Sequence, residues 1–301
     1  MLGNNTKLSI VIPAKTRDSY ELMRLLFCIQ KQDFPKDSIE VLVITEGTSE
    51  SAKAIGIKKA MGEVIGIMAS DNSFDDPNFL KAMYEDAMLN GAAFPLFYTV
   101  SSSMIAMDRY FALFGGNDPL SFYMGKNDRA PYFPTDLAKK SIKARALGDN
   151  GFFVKRALIE KTDLENYFHV DNANEIDCVP MPNMQHFFHL TGEGILSFMR
   201  KRYRYGLQHA FNPKMRWHLV DFRKREDILK LLWFILVSLT FVEPFLLSLN
   251  GFLRMKPKDL AWFYHPVMSF LTTITYSILM SHLALRWLYR SLSARINARV
   301  A

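Results

Sequence analysis

The N-terminal part of the chain alternates short apolar runs with polar or glycine-bearing corners. Three such runs, rich in β-branched residues, are Leu8–Pro13, Ile39–Thr45 and Val64–Met68. Runs of this length and composition predict buried β-strands. Glu46 and Asp71 follow the second and third runs. Because ligands of open α/β sheets bind beyond the carboxyl ends of the strands, both acids are expected to face one pocket.

Segments with helical spacing of their apolar residues separate these strands. The spacing predicts helices over Ser19–Lys31, Glu50–Met61 and Pro77–Asn90. Strands that alternate with helices predict an α/β fold with a mainly parallel sheet. Between Phe114 and Thr135 the pattern gives way to Gly, Asn, Asp and Pro, which predicts a long loop of the kind that is usually functional. The later elements predicted are strands over Ala93–Val100, Ile176–Pro180 and Asn183–Leu190 and a short helix over Lys155–Lys161.

Two long apolar segments, Leu231–Leu249 and Val267–Leu285, lie near the C-terminus, and Glu243 is the one acid within them. Each has about the length that crosses a hydrocarbon core of roughly 30 Å, so a hairpin of two transmembrane helices is predicted. Lys and Arg residues flank both ends of the hairpin, which places these ends in the cytoplasm by the positive-inside preference. The expected polar partners of Glu243 on the second segment are Thr272, Thr273, Thr275 and Tyr276.

The formal charge of +7 is unevenly distributed, since nine Lys or Arg residues and one acid lie between Arg200 and Arg225. Within Ile195–Gly206, apolar residues at helical spacing oppose a basic face, which predicts an amphipathic helix in the membrane interface. The adjacent apolar segments make nucleic-acid binding the weaker interpretation, so no nucleic-acid partner is expected. Two cysteines form no disulfide framework and no signal peptide is visible, so the N-terminal domain is expected in the cytoplasm.

Four short motifs carry a resemblance to a known family. Over roughly residues 7–206 the chain resembles the family 2 glycosyltransferases of the GT-A fold. The segments that carry this resemblance are Ile12–Pro13, Glu46–Gly47, Ala52–Gly56 and Ala69–Asp71. In that family these motifs are a Val-Ile-Pro strand, an acid that meets the nucleotide base, an Ala-Arg-Asn-x-Gly segment and an Asp-x-Asp metal motif. The chain departs from the family where Ala69 replaces the first Asp of the metal motif and Glu46 replaces the usual Asp.

The resemblance implies roles for specific residues. Asp71 would hold Mg²⁺ or Mn²⁺, and the ion would offset charge on a nucleoside diphosphate leaving group. His189 would be a further metal ligand or would contact the diphosphate. Inverting transfer needs a carboxylate base for the acceptor hydroxyl. Asp171 is favoured for this role, and Asp149 is the competing candidate. The expected nucleotide contacts are Pro13, Lys15, Glu46, Lys53 and Ser70. The expected contacts to acceptor or phosphate are Lys126, Arg129, Arg200, Arg202 and Arg204.

The predicted division is a GT-A domain over 1–192, a basic amphipathic juxtamembrane region over 193–227, two transmembrane helices over 228–290 and a basic cytoplasmic tail over 291–301. The resemblance implies a multi-pass enzyme of the cell membrane. It would move a sugar from a nucleotide-sugar donor to a lipid-linked acceptor, either polyprenyl phosphate or a polyprenyl-diphosphate glycan. A glycolipid or cell-surface polysaccharide acceptor is an alternative. A degenerate membrane scaffold, motivated by Ala69, is another, and homo-oligomerisation stays open.

Overall fold

The computed structural model describes residues 6–116, 118–127, 129, 132, 142–143, 150–160, 177–181, 187–211, 219–256 and 258–300. The strands in this part of the chain are β1 (Leu8–Pro13), β2 (Ile39–Ile44), β3 (Val64–Met68), β4 (Asn72–Phe74), β5 (Ala92–Pro95), β6 (Ile142–Lys143), β7 (Asn150–Lys155), β8 (Asp177–Met181) and β9 (Phe187–His189). The α-helices are α1 (Tyr20–Gln30), α2 (Ser49–Lys59), α3 (Phe79–Asn90), α4 (Ala106–Phe114), α5 (Pro119–Met124), α6 (Arg156–Ile159), α7 (Ile195–Phe211), α8 (Arg225–Thr240), α9 (Val242–Arg254) and α10 (Tyr264–Val300).

Seven strands form one mixed sheet in the order β2-β1-β3-β7-β5-β8-β6. Strand β1 runs parallel to both β2 and β3, and β5 runs parallel to β8. Strand β7 is antiparallel to β3 and β5, and β6 is antiparallel to β8. Five strands therefore share one direction, which confirms the mainly parallel α/β sheet predicted from the alternation of elements.

The alternation of side chains along β1 builds two hydrophobic layers. Leu8, Ile10 and Ile12 belong to a buried cluster with residues of α1 and α3. Val11 points to the other face and packs with residues of β3 and α2. A Cβ atom on Gly56 would overlap Cγ1 of Val11, so a glycine at this position lets α2 approach the sheet closely. Helices on both faces thus fix the strand ends.

A second, two-stranded sheet brings distant parts of the chain together. Strand β4 pairs antiparallel with β9, and Asn72 lies opposite His189. The N–H of Leu190 donates to the carbonyl oxygen of Asp71 at 2.9 Å. This pairing positions the corner after β3 beside the end of β9.

Most predicted elements appear with small changes of their ends, and Ser19 caps α1 as expected, accepting from the N–H of Leu22. The strand predicted over Ala93–Val100 ends already at Pro95. Of the strand predicted over Asn183–Leu190, residues 183–186 lie outside the described residues.

The prediction of a loop over residues 114–135 is wrong where the structure has helix α5. The carboxylate of Asp118 accepts from the N–H of Leu120 at 2.9 Å, and Pro119 occupies the first helical position. Asp followed by Pro is a favourable helix start, so these turn formers act here as a cap.

The chain divides into two compact units. Met1–Asn117 and Lys126–Gly192 form the α/β unit, whereas Asp118–Gly125 and Glu193–Ala301 form the helical unit. Helix α5 therefore belongs to the helical unit, although its sequence interrupts the α/β unit.

The helical unit differs from the predicted hairpin. The apolar segment 231–249 is not one continuous helix, because α8 and α9 meet at 82° across Phe241, whose φ is 60°. In the described part of the chain, Leu260–Tyr289 is the one helical stretch long and apolar enough to span a membrane. Helices α8 and α9 would supply a second span only if the two together formed one bent transmembrane segment.

Glu243 makes the polar contact that the sequence predicts, but with a different partner. The hydroxyl of Tyr123 on α5 donates to Oε2 of Glu243 at 2.6 Å and also lies 3.2 Å from Nε2 of His265. None of the four residues predicted to bond Glu243 is its hydrogen-bond partner among the described contacts. The bend at Phe241 changes the direction of α9, so its first turn meets α5.

Candidate functional site

The corner between β3 and β4 holds Asp71 beside His189. The side-chain oxygen of Asn72 accepts from the N–H of Ala69 at 3.0 Å, and its amide donates to Oδ1 of Asn150 at 2.9 Å. These bonds fix the corner from within. Atom Oδ2 of Asp71 lies 3.3 Å from Nε2 of His189. The two residues predicted as metal ligands are therefore in direct contact.

The Asp71–His189 pair is shielded on one side and open on the other. The His189 side chain is 6% exposed and stacks on Tyr98 with ring centroids 5.4 Å apart, whereas the Asp71 side chain is 24% exposed. Arg24 donates to the backbone oxygen of Asp71 at 3.4 Å. Charges in a partly buried site interact more strongly than charges in water. Because of these exposures and the stacking, a ligand can reach the carboxylate of Asp71 while the imidazole of His189 stays fixed.

Arg129 lies in an aromatic cage next to this pair. Its guanidinium carbon is 5.3 Å from the ring centroids of Phe94 and Tyr98 and 5.9 Å from that of Phe187. The residue is 2% exposed. The hydroxyl of Tyr132 donates to the carbonyl oxygen of Tyr98 at 3.2 Å, and burial raises the pKa of Tyr132, which keeps this donor protonated. The cage connects Arg129 to His189 through the shared ring of Tyr98.

Replacing Arg129 with leucine is expected to lower the melting temperature by roughly 4–8 °C, because it removes about 2 kcal/mol of desolvated cation–π attraction. Thermal unfolding followed by circular dichroism measures the change, and Arg17→Leu at an exposed position is the matched control. Equal melting temperatures for both variants would contradict a structural role of the cage. The predicted contact of Arg129 with a phosphate is tested separately. It predicts that Arg129→Leu binds the nucleotide-sugar donor more weakly at a temperature where the variant stays folded.

The sequence gives little sign of Asp108, which organises the segment after β9. This carboxylate on α4 is 3% exposed. Its Oδ1 accepts from the N–H and the hydroxyl of Thr191 at 3.1 and 2.5 Å, and its Oδ2 accepts from the N–H of Gly192 at 3.2 Å. Three donors hold the chain directly beyond His189. An acid beside a basic residue inside a mostly apolar helical stretch is the signal that could have revealed it.

The donor set at Asp71 and His189 fits a divalent cation only in part. The described residues contain no group of three or more His, Cys, Asp and Glu residues that could hold a metal ion. A bound ion would therefore take one oxygen and one nitrogen from this pair and its other ligands from substrate oxygens or water. Because Mg²⁺ requires oxygen ligands, the imidazole favours Mn²⁺ over Mg²⁺.

The predicted nucleotide contacts follow the ends of the first two strands. Pro13 lies opposite Ile44 in the register of β1 and β2, so the carboxyl ends of these strands are adjacent as expected. Lys15 and Glu46 are exposed, whereas Ser70, in the corner after β3, is partly buried. Lys53 is fully buried on α2, so a phosphate would need that ammonium group to become accessible.

The remaining predicted residues divide between the units. Asp149 and Asp171, the two candidate bases, lie outside the described residues. Lys126 is partly exposed in the α/β unit. The three predicted arginines lie on α7 in the helical unit, where Arg202 is 3.7 Å from Asp118. Those that are exposed are Arg200 and Arg204.

A cavity of about 470 Å³ lies beside α1 and the edge strand β2. Its lining is mostly apolar and includes Arg17 and Lys59, but none of the predicted site residues. It is separate from the Asp71–His189 pair.

Comparison with known proteins gives matches in structure alone. No family model matches the chain, and no curated protein matches it. Residues 1–349 of TarS from S. aureus share 14% identity, with 89% of this chain and 81% of that chain covered and a TM-score of 0.40. The complex of the same TarS segment with UDP-GlcNAc has 13% identity, coverage of 89% and 81%, and a TM-score of 0.42. The mannosyltransferase PcManGT from Pyrobaculum calidifontis, in complex with GDP-Man and Mn²⁺, has 12% identity, coverage of 96% and 79%, and a TM-score of 0.43.

Proposed function

We propose that this chain is an inverting, metal-dependent glycosyltransferase. It moves a sugar from a nucleotide-sugar donor to a lipid-linked acceptor, polyprenyl phosphate or a polyprenyl-diphosphate glycan, at the cytoplasmic face of the cell membrane. The observation that carries the proposal is the contact of Asp71 with His189 at the corner after β3. This corner corresponds to the metal motif of the family 2 glycosyltransferases that the sequence resembles.

On the donor side, the chain binds the nucleotide along the strand ends. Glu46 and Lys15 are exposed after β2 and β1, where a nucleoside can contact them. Asp71 and His189 would hold the cation, which when bound supplies Lewis-acid stabilisation of the departing diphosphate. Tyr98 and Asn72 keep this pair in place through ring stacking and the internal bonds of the corner.

On the acceptor side, a carboxylate removes the proton of the attacking hydroxyl when the acceptor is a polyprenyl-diphosphate glycan, whereas a polyprenyl phosphate attacks through an oxygen that is already ionised and needs no base. Asp171 is the proposed base, and Asp149 positions the sugar or the acceptor. Both assignments come from the resemblance. The order of events is then deprotonation of the acceptor oxygen, its attack on the anomeric carbon from the face opposite the diphosphate, and inversion at that carbon.

The helical unit supports a lipid-linked acceptor. Exposed apolar side chains dominate the outer faces of α8 and α9, as expected for a surface that meets lipid rather than water. The predicted localisation, with the catalytic domain in the cytoplasm, follows from the basic residues that flank these helices. A glycolipid or a cell-surface polysaccharide is the alternative acceptor.

The experiment that tests the activity uses the full chain purified in detergent. UDP-GlcNAc, GDP-Man and other nucleotide sugars are incubated with it in Mn²⁺, with and without a polyprenyl phosphate, and released nucleoside diphosphate is measured. Release that depends on both metal and acceptor is expected. Failure to bind any nucleotide, with or without Mn²⁺, would overturn the proposal in favour of the membrane scaffold that Ala69 suggests.

With a polyprenyl-diphosphate glycan as acceptor, Asp171→Asn is expected to reduce sugar transfer by at least about 100-fold, because a positioned base for the attacking hydroxyl typically contributes 10²–10⁴ to the rate. Donor affinity, measured by calorimetry with the nucleotide sugar, should stay within about twofold of the parent chain. Asp149→Asn is the comparison variant. Normal transfer by Asp171→Asn together with loss of transfer by Asp149→Asn would move the base to Asp149.

A further inference from the structure

The helical unit places polar side chains inside and apolar side chains outside. Its fully or almost fully buried residues include hydroxyl and imidazole groups that a water-soluble helix would normally expose. These buried polar residues are Ser238, Ser248, His265, Ser269, Thr272 and Thr273. The outer faces of α8 and α9 carry large apolar side chains that are between 36% and 61% exposed: Ile228, Leu229, Leu232, Trp233, Leu236, Leu239, Phe241, Val242, Phe245, Leu246 and Leu253. We call this set the apolar face.

The apolar face is bent into an elbow. Helix α8 ends at Thr240 and α9 begins at Val242, and the two axes differ by 82°. Phe241 between them is the one residue other than glycine with positive φ among the described residues. With 16 and 13 residues, the arms are about 24 and 20 Å long at 1.5 Å per residue. Each arm is shorter than a hydrocarbon core of about 30 Å, so neither crosses it alone.

Both open ends of the elbow carry cations. Arg223, Lys224, Arg225 and Lys230 lie around the start of α8, together with the acids Asp221, Glu226 and Asp227, and Arg254, Lys256 and Lys258 lie at and beyond the end of α9. Between Lys230 and Arg254 the only charged residue is Glu243, which accepts a hydrogen bond from Tyr123. Cations prefer the anionic lipid surface. Lys and Arg residues at both ends therefore favour an elbow that enters and leaves the membrane on one side.

Helix α10 is long enough to cross a membrane, but its packing opposes this. Its middle turns lie against α7: Thr275 donates to the sulfur of Met199 at 3.2 Å, and a Cβ on Gly206 would overlap Cδ2 of Leu279. Tyr203 and His282 also bond each other across this interface. Residues 275–282 are thus in contact with a helix that carries four cations within 200–204.

Those cations decide the orientation of α10. Arg200 and Arg204 are exposed on α7, each next to a residue that contacts α10. Thr275 is close to the middle of Leu260–Tyr289, so a crossing α10 would bring Arg200, next to Met199, near the centre of the bilayer, about 15 Å from either surface. Arg204 is next to Tyr203, which contacts His282 about 10 Å farther along α10, so it would lie inside the hydrocarbon core but nearer one surface. A charge at the centre costs about 2.5–3.5 kcal/mol or more. An α10 that lies along the surface leaves both charges among the lipid headgroups.

We infer that the helical unit docks on a single leaflet of an anionic lipid bilayer, with the elbow inserted from that side and α10 lying along the surface. In this arrangement no described helix crosses the membrane. It replaces the two crossings predicted from the sequence. The inference concerns how the chain holds the membrane and not its chemistry, so its tests can fail while sugar transfer is observed, and the reverse.

The docking face is tested by flotation with vesicles. The full chain is mixed with vesicles of phosphatidylglycerol and phosphatidylcholine, the detergent is removed, and the floating fraction is measured. Leu246→Glu is expected to lower the partition coefficient between water and vesicles by about tenfold or more, since it replaces a leucine that the lipid would bury with a charged side chain. Leu89→Glu, which changes an equally apolar residue that is 79% exposed on α3, should float like the parent. A parent chain that stays at the bottom as a dimer, or two variants that float equally, would overturn the inference.

The topology is tested by labelling in sealed vesicles whose cytoplasmic face points outward. Cys28 and Cys178 are replaced by serine, and one new cysteine is introduced as Lys256→Cys before α10 or as Ser291→Cys near its end. A membrane-impermeant maleimide is expected to label both variants equally before and after detergent is added. A hairpin of two spans would protect position 256 alone, and a single crossing by α10 would protect one of the two positions. Protection of either position that detergent relieves would refute docking on one leaflet.

Discussion

Replacing Asp71 with asparagine is expected to reduce metal-dependent sugar transfer by at least about 100-fold. The change keeps the size of the side chain but removes the negative charge that would hold the cation beside His189, and mutation even of groups that only orient metal ligands typically costs 10–100-fold. Initial rates of nucleoside diphosphate release at several Mn²⁺ concentrations measure the effect. The apparent Mn²⁺ affinity should fall together with the rate.

The control for this variant is Asp37→Asn, which neutralises an exposed aspartate in the turn before β2. Asp37→Asn should keep the rate and the Mn²⁺ dependence of the parent. Mn²⁺ binding can also be followed without catalysis, by the paramagnetic relaxation of water protons in the presence of nucleoside diphosphate. If Asp71→Asn retained both the rate and the relaxation signal, the metal site would have to lie elsewhere.

Asp108→Ala is expected to lower the free energy of unfolding by about 3 kcal/mol or more. The change leaves three donors of Thr191 and Gly192 without their acceptor at a position that is 3% exposed, and hydrogen bonds to a charged group contribute about 1.5–3 kcal/mol each. A loss of this size corresponds to a melting temperature lower by roughly 6–12 °C. Thermal unfolding of the full chain measures it.

The conservative variant Asp108→Asn separates the contributions of the donors. An amide oxygen can still accept from Thr191, but the amide nitrogen cannot accept from the N–H of Gly192. Asp108→Asn should therefore lose about half as much stability as Asp108→Ala. Because Thr191 lies two residues beyond His189, both variants should also weaken Mn²⁺ binding at temperatures where they are folded. An unchanged melting temperature for Asp108→Ala would mean that the segment after β9 is held by other contacts.

The sequence predicts the sheet well because its signals are local. The β-branched runs identify β1, β2 and β3 to within one residue, and Asp71 and His189 are predicted as site residues from a motif after one strand and from the end of another. The pairing of β4 with β9 then brings these two residues together, and no local pattern encodes that pairing. Asp108 is missed for the same reason, since its partners lie more than 80 residues along the chain.

The helical unit is where sequence reasoning is weakest. Hydropathy reports how apolar a segment is, but it does not report whether the segment bends. Pro244 lies in the first turn of α9, a position where proline is tolerated because the N–H groups there have no intrahelical acceptor. Read as a helix start, Pro244 would have predicted the break near Phe241. The polar face of α10 escapes notice because serine and threonine barely lower its mean hydropathy.

The position of α5 in the sequence has a practical consequence for making fragments of this protein. A fragment that stops at Gly192 would lack the partners of Asp118, which accepts a hydrogen bond from Tyr276 and lies near Arg202. It would also leave Leu120 and Met124, both buried with residues of α8 and α10, exposed to solvent. Such a truncated fragment would expose the apolar side of α5 and tend to aggregate. Replacing residues 118–125 with a short hydrophilic linker would avoid this.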